Sequence, residues 1–205
     1  MMQIPQNEKA ICLILSGGSS TRMQTHKALL PFSENENFLQ HIIKVYQDAG
    51  IQKVVVVRNA DIFLEGPASS ATPALVIVDN HFPERGRLYS IQLGLSCAPG
   101  AQYCFIHNID NPFITGELIC SLYDARAQAD YVSPEYNSKG GHPILISARI
   151  IRNISRIKSY KDTLHEVLGM FARYKLPTSD ENCLVNINFP SDYERYFSRK
   201  IAAAL

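Results

Sequence analysis

The stretch Ala10 to Leu15 (AICLIL) is an unbroken apolar run that stops at Ser16-Gly17-Gly18. A run with no polar face has nothing to offer water, so it reads as a strand buried on both sides of a parallel sheet as it enters a tight loop. Val54 to Val57 (VVVV) and Leu75 to Val78 (LVIV) have the same character and are rich in β-branched residues. Tyr103 to Ile109 (YCFIHNI) is a further strand that runs into Asp110-Asn111-Pro112.

Helical patterns lie between these runs. Phe38 to Ala49 has apolar residues at helical spacing and ends at Gly50, a good residue just past a helix end. Tyr89 to Cys97 and Thr115 to Gln128 also read as helices, the second with Thr115 as N-cap and Glu117 in its first turn. Asp130 to Ser133 and Pro143 to Ile146 are short β candidates on either side of the turn-rich Asn137 to Gly141. Ala148 to Arg156 and Thr163 to Tyr174 are predicted helical, Leu184 to Asn188 a last strand closed by Pro190, and Asp192 to Ala204 a terminal helix. No repeat, low-complexity tract or linker interrupts the alternation. The expectation is one α/β domain over residues 1–205, a three-layer α/β/α sandwich with a mostly parallel sheet. Such sheets bind ligands beyond the carboxyl ends of their strands. The polar loops after Leu15, after Ile109 and after the last strand are therefore the places to look.

Composition narrows the partners. The chain has 205 residues, 46% hydrophobic and 19% charged, which is enough for a full core and unlike a disordered chain. Against 19 Asp+Glu stand 20 Lys+Arg, a formal net charge of +1, so there is no general basic field to draw nucleic acid. The five cysteines (Cys12, Cys97, Cys104, Cys120, Cys183) are an odd number without a CxxC pair, which argues against a disulfide framework or a zinc site. The opening MMQIPQNEKA lacks the basic-then-apolar order of a signal peptide, and no apolar run approaches the roughly 18 residues that span a bilayer. The expected compartment is the cytoplasm, with no membrane partner.

The densest chemistry is in Leu15 to Phe32 (LSGGSSTRMQTHKALLPF). Gly17 and Gly18 let backbone N–H groups approach phosphate oxygens, and Ser19, Ser20 and Thr21 add hydroxyls. Arg22 and Lys27 supply a forked and a point positive charge, suited to a triphosphate and a leaving pyrophosphate. Neither GxxxxGK[ST] nor GxGxxG is present, so a Walker loop or a nicotinamide site is poorly supported. The plainer alternative is a Gly-Ser turn followed by a solvated basic stretch.

This segment resembles the LxxGGxSxRMGxxKxLLPF signature of the MobA/MocA-like nucleotidyltransferases, which attach GMP or CMP to molybdopterin on a Rossmann-like GT-A type fold. The resemblance implies that Leu15, Ser16, Gly17, Gly18, Arg22 and Lys27 cradle an NTP. Asp79-Asn80 with Glu84 to Ile91 is similar to the N…GxxxSI segment that borders the base, implying nucleotide contacts from Asn80, Gly86 and Ser90; an ordinary loop with a Ser N-cap would use the same residues. Asp110 matches the aspartate of the xxDxP element and is implied to bind Mg²⁺, although Asp is common at turns for structural reasons too. Val185 to Tyr193 resembles the (N/D)I(N/D)TPEDY ending, which implies Asn186 and Asn188 as further metal ligands. Strand periodicity would put both on one face; two Asn closing a strand before a proline turn is the alternative. Gly140 to Pro143 resembles a GHP segment on the acceptor side, implying acceptor contacts from Lys139 and His142, though a single His in a turn is more often structural.

The implied catalytic residues are Arg22, Lys27 and Asp110, with CTP or GTP as donor and a phosphorylated small molecule, molybdopterin foremost, as acceptor. A molybdoenzyme or its chaperone is the protein partner that the resemblance admits. The GHP segment favours CTP and Asn-Ile-Asn favours GTP, so the base stays open. Sugar-1-phosphate or phosphocholine acceptors use the same scaffold. Gln24 stands where the signature has Gly, and Phe189 where the ending has Thr. With the neutral Asn186, these departures motivate another alternative, a non-catalytic nucleotide-sensing module.

Overall fold

The computed structural model describes residues 3–5, 9–18, 23, 25–60, 74–159 and 162–198. In chain order the elements are β1 (Ala10–Ser16), α1 (Phe38–Asp48), β2 (Lys53–Asn59), β3 (Leu75–Asn80), α2 (Gly86–Ser96), β4 (Tyr103–Asn108) and α3 (Gly116–Asp124). They continue as β5 (Tyr131–Tyr136), β6 (Lys139–Gly140), β7 (Ile144–Ser147), α4 (Ala148–Arg156), α5 (Leu164–Leu168), β8 (Arg173–Pro177) and α6 (Pro190–Phe197). The described strands form one sheet in the order β3-β2-β1-β4-β7-β5-β6, with β8 paired to β5. β1, β2, β3 and β4 are parallel, and β7 runs antiparallel to both of its neighbours.

Strand alternation splits the core into two. Ala10, Cys12 and Ile14 of β1, with Val54, Val56 and Phe105, face α1, α3 and α6. Ile11, Leu13 and Leu15, with Val55, Val57, Cys104 and Ile106, face α2, α4 and α5. Both faces of the central strands are thus covered, as their unbroken apolar runs require. Burying each such side chain contributes roughly 1.5–3 kcal/mol, so these strands are the energetic centre. All five cysteines are free, and no helix among the described residues is long and apolar enough to cross a membrane.

The order β2-β1-β4 contains the feature that matters for ligand binding. From β1 the chain crosses through α1 to β2 on one side; from β3 it crosses back through α2 to β4 on the other. β1 and β4 therefore flank a topological switch point, where a crevice opens at the strands' carboxyl ends. α2 packs closely on the sheet because Gly94 has no side chain, and a Cβ there would lie 2.2 Å from Leu13 Cδ1.

Two predicted elements are corrected. Thr163 to Tyr174 is not one helix: the Thr163–Glu166 capping box starts α5, which stops at Leu168 with Gly169 as its C-cap. From Arg173 the chain becomes β8, whose Tyr174 and Leu176 pack on the first core while Arg173 and Lys175 are exposed. Leu184 to Asn188 is not a strand either. Its amides serve scattered acceptors instead of a ladder: Val185 N–H donates to Asn182 O, Ile187 N–H to Asp110 O, and Asn188 N–H to Asp192 Oδ2. The terminal helix runs from Pro190 to Phe197, where Ser198 caps it at φ 48°, short of the expected end at Ala204; residues 199–204 lie outside the described residues.

Gly50 closes α1 with φ +95°, a conformation that L side chains rarely adopt, and a Cβ there would come 2.5 Å from the Ile4 carbonyl oxygen. Gly50→Ala should therefore lower stability by about 1–3 kcal/mol. Urea unfolding would show this as a lower midpoint at unchanged m-value; a wild-type midpoint would mean that the turn is not constrained as described.

Candidate active site

In the β1–β4 pairing Leu15 stands opposite Asn108, and Ile109 N–H donates to Leu15 O at 3.1 Å. The loops that follow the two strands thus leave the sheet side by side. Between them and α2 lies a cleft of about 480 Å³, lined by Leu15, Gly17, Gly18, Met23, Lys27, Pro83, Gly86, Arg87, Ser90, Asn108, Ile109, Asp110 and Asn188. That volume falls within the roughly 300–1,000 Å³ usual for small-molecule sites.

Lys27 projects into the cleft because the residues after it are anchored. Ala28 and Leu30 are fully buried, Phe38 N–H donates to Leu30 O, and Tyr193 Oη–H donates to Pro31 O. Phe32 stacks on His41 with centroids 3.5 Å apart. The Leu-Leu-Pro-Phe sequence thus fixes a basic residue to the core. Lys27 Nζ donates to Asn188 Oδ1 at 2.7 Å and lies 3.6 Å from Asp110 Oδ2. Both side chains are mostly buried, at 14% and 21% exposure, so this ion pair is less screened than a surface one.

Not every residue expected at the site lines the cleft. Ser16 is fully buried and is not among the residues that line the cleft. Gly86, at φ +84°, opens α2 against the cleft, and Ser90 lines it one turn further on. Asn80 is fully buried: its Nδ2 donates to Ser90 Oγ at 3.0 Å, and its Oδ1 accepts from Phe82 N–H at 2.8 Å. Both ends of that amide are engaged, so Asn80 holds Ser90 and the loop before α2. Asn188 reaches Lys27, but Asn186 does not face the same way. Its Oδ1 accepts from Asn111 Nδ2, and its own Nδ2 donates to Leu184 O. The expected common face fails because no strand forms there. Lys139 is exposed on β6 and outside the cleft lining. His142 is half-buried, in electrostatic reach of Arg87 and Asp110. Arg22 lies outside the described residues, as do Ser19, Ser20, Thr21 and Gln24.

Arg87 is a cleft residue that sequence reasoning passed over, although it sits inside the Gly86–Ser90 segment. Its signal was available as a cation one residue after a glycine at a helix start. Asn111 and His107 were also missed. His107 is fully buried; its Nδ1 lies 3.1 Å from Tyr46 Oη, and its Nε2 lies 2.9 Å from Asn111 O.

With this geometry, family membership can be decided. Residues 12–174 match the family described as MobA-like NTP transferase domain, most of the chain. The chain belongs to that family. As a MobA-like NTP transferase domain it is similar to a probable molybdenum cofactor guanylyltransferase from Clostridium perfringens, 26% identical over 132 residues, or 64% of this chain and 62% of the relative. The chain thus spans less than two thirds of that relative's length. The molybdenum cofactor cytidylyltransferase of Escherichia coli is 23% identical over 189 residues, 90% of this chain and 96% of the relative. The crystal structure of molybdopterin-guanine dinucleotide biosynthesis protein A from Archaeoglobus fulgidus shares the fold, with TM-score 0.66 at 18% identity over 90% of this chain and 95% of the archaeal one.

Burial pushes the His107 imidazole down to about 3, and lowers His26, His41 and His142 as well. A histidine kept neutral in the fold is protonated in the unfolded chain below about pH 6.5, so stability is intact above that pH and is lost as the pH falls towards the folded value. His107 alone should contribute a slope approaching about 1.4 kcal/mol per pH unit between pH 6 and 4. In His107→Gln the slope should flatten by about that much, whatever happens to absolute stability. Urea unfolding across this range would check it; an unchanged slope would show that His107 is charged in the fold.

Proposed function

We propose that this chain transfers CMP or GMP from CTP or GTP to a phosphorylated acceptor, molybdopterin foremost, and releases pyrophosphate. The observation that carries the reading is the meeting of Lys27, Asp110 and Asn188 in one nucleotide-sized cleft beside Gly17 and Gly18. The names of the curated relatives support the choice of acceptor.

In the proposed reaction an acceptor phosphate oxygen forms a bond to the α-phosphorus, and the bond from that phosphorus to the bridging oxygen of pyrophosphate breaks. The nucleophile is already anionic, so no side-chain base is needed. The chain's task is alignment and charge neutralisation. The glycine loop approaches the phosphates, Lys27 offsets the charge that builds on the leaving group, and Arg22 is proposed to assist it. Gly86 and Ser90 border the base. Arg87 and His142, which lie in electrostatic reach of each other, are proposed to meet the acceptor, since their cationic and hydrogen-bonding groups suit a phosphate.

The donor set also fits Mg²⁺. Asp110 Oδ1 is buried and has no hydrogen-bond partner among the described residues. Asn188 Oδ1 keeps a lone pair beyond its bond to Lys27. Asp110 and Asn188 would hold the ion, and when bound it would neutralise phosphate oxygens. Asn186 is a poorer candidate, since Asn111 takes its carbonyl oxygen.

Lys27→Ala and Asp110→Ala should each fold normally and raise the barrier by roughly 2.7–4 kcal/mol, the usual effect of removing one preorganised electrostatic contact. Pyrophosphate release from CTP or GTP with Mg²⁺ and molybdopterin would measure it, and wild-type turnover in either variant would overturn the assignment. A thermal-shift panel of CTP, GTP, UTP and ATP should identify the base, since a ligand at 100 times its Kd adds about 2.7 kcal/mol of stability.

A further inference from the structure

The segment from Val185 to Asn188 belongs to no strand, yet it delivers Asn188 to Lys27. What ties it to the end of β4 is specific. Ile187 N–H donates to the backbone oxygen of Asp110 at 2.8 Å. Asn111 Nδ2 donates to Val185 O at 2.8 Å and to Asn186 Oδ1 at 2.9 Å. Asn111 is buried at 5% exposure, and both of these acceptors lack a proton, so only the NH₂ end of an amide satisfies them. An aspartate there would set a carboxylate against two oxygens.

Asn111 is itself held from below. Its backbone oxygen can only accept, so His107 Nε2 carries the proton and donates to it at 2.9 Å. That leaves His107 Nδ1 to accept from Tyr46 Oη–H at 3.1 Å. The chain of bonds runs from α1, through β4, to the segment that completes the cleft. Low polarity around these fully buried groups strengthens each bond and makes a missing partner costly.

We infer that Asn111, seated on His107, is a positioning residue that clamps residues 185–187 so that Asn188 meets Lys27. The inference deepens the proposed transfer reaction and its catalytic half rests on it. Asn111 touches no reacting atom; it acts through the segment that carries Asn188.

The test is hydrogen–deuterium exchange combined with kinetics on the full chain. In Asn111→Leu, a similar shape without donors, peptides covering residues 184–189 should exchange faster while β1 and β2 stay protected. kcat should fall between about 10- and 100-fold, the usual effect of losing a group that orients a site residue, with NTP affinity nearly unchanged. In an Asn188→Ala background the same substitution should cause no further loss of kcat, which a merely structural role would not reproduce. Asn186→Ala, at an exposed position, removes one acceptor and should raise exchange in the same peptides to a smaller degree; it serves if Asn111→Leu does not fold. Unchanged exchange at 184–189 would overturn the clamp, and so would raised exchange with wild-type kcat. Raised exchange in a protein whose wild type transfers neither nucleotide would uphold the clamp and sink the proposed function instead.

Discussion

The parallel pairing of β1 with β4 is the constraint on which the rest depends. Neighbouring strands lie only about 4.8 Å apart, so the register that sets Leu15 opposite Asn108 brings two loops, remote in sequence, to one place. The pairing is stable because β1 buries alternate residues in both cores. A strand apolar on one face could not sit there. The same alternation that stabilises the sheet therefore creates the switch point, and the switch point creates the cleft.

The site uses its few charges sparingly. A net charge of +1 leaves the surface without a long-range field, and attraction for a polyanion has to come from a small number of placed groups. Lys27 is the best defined of these. Its ammonium is shared between a carboxylate and an amide oxygen, so it is oriented before any ligand arrives. Preorganisation of this kind lowers the reorganisation needed during reaction.

Much of this was legible in the sequence, and the reasons differ by element. The cores of β1, β2 and β3 are continuous apolar runs, and α4 matches its expected bounds because its apolar residues repeat at helical spacing. The loop after β1 and Asp110 could be placed because strand ends direct loops to one edge. β8 was missed because its alternation is short and follows directly on a helical start; Gly169 was the available stop signal. Residues 184–188 alternate like a strand, but their partners are the backbone of Asp110 and the side chains of Asn111 and Asp192, which no local pattern announces. Asn80 and Asn186 carry groups suited to ligands, yet their amides are taken up within the protein. Residue type tells what an amide can do, while only the fold tells what it is already doing.

Because the cleft draws on Leu15 at one extreme and Asn188 at the other, it cannot exist early in synthesis. The parallel strands β1 to β4 precede α4, α5 and α6 in the chain, so on their own they also lack part of the cover over both faces. Only when residue 188 has emerged and docked does the wall close. A prematurely ended chain would thus lack one wall of the cleft together with part of both cores, so that the completeness of the site and that of the fold depend on the same late residues.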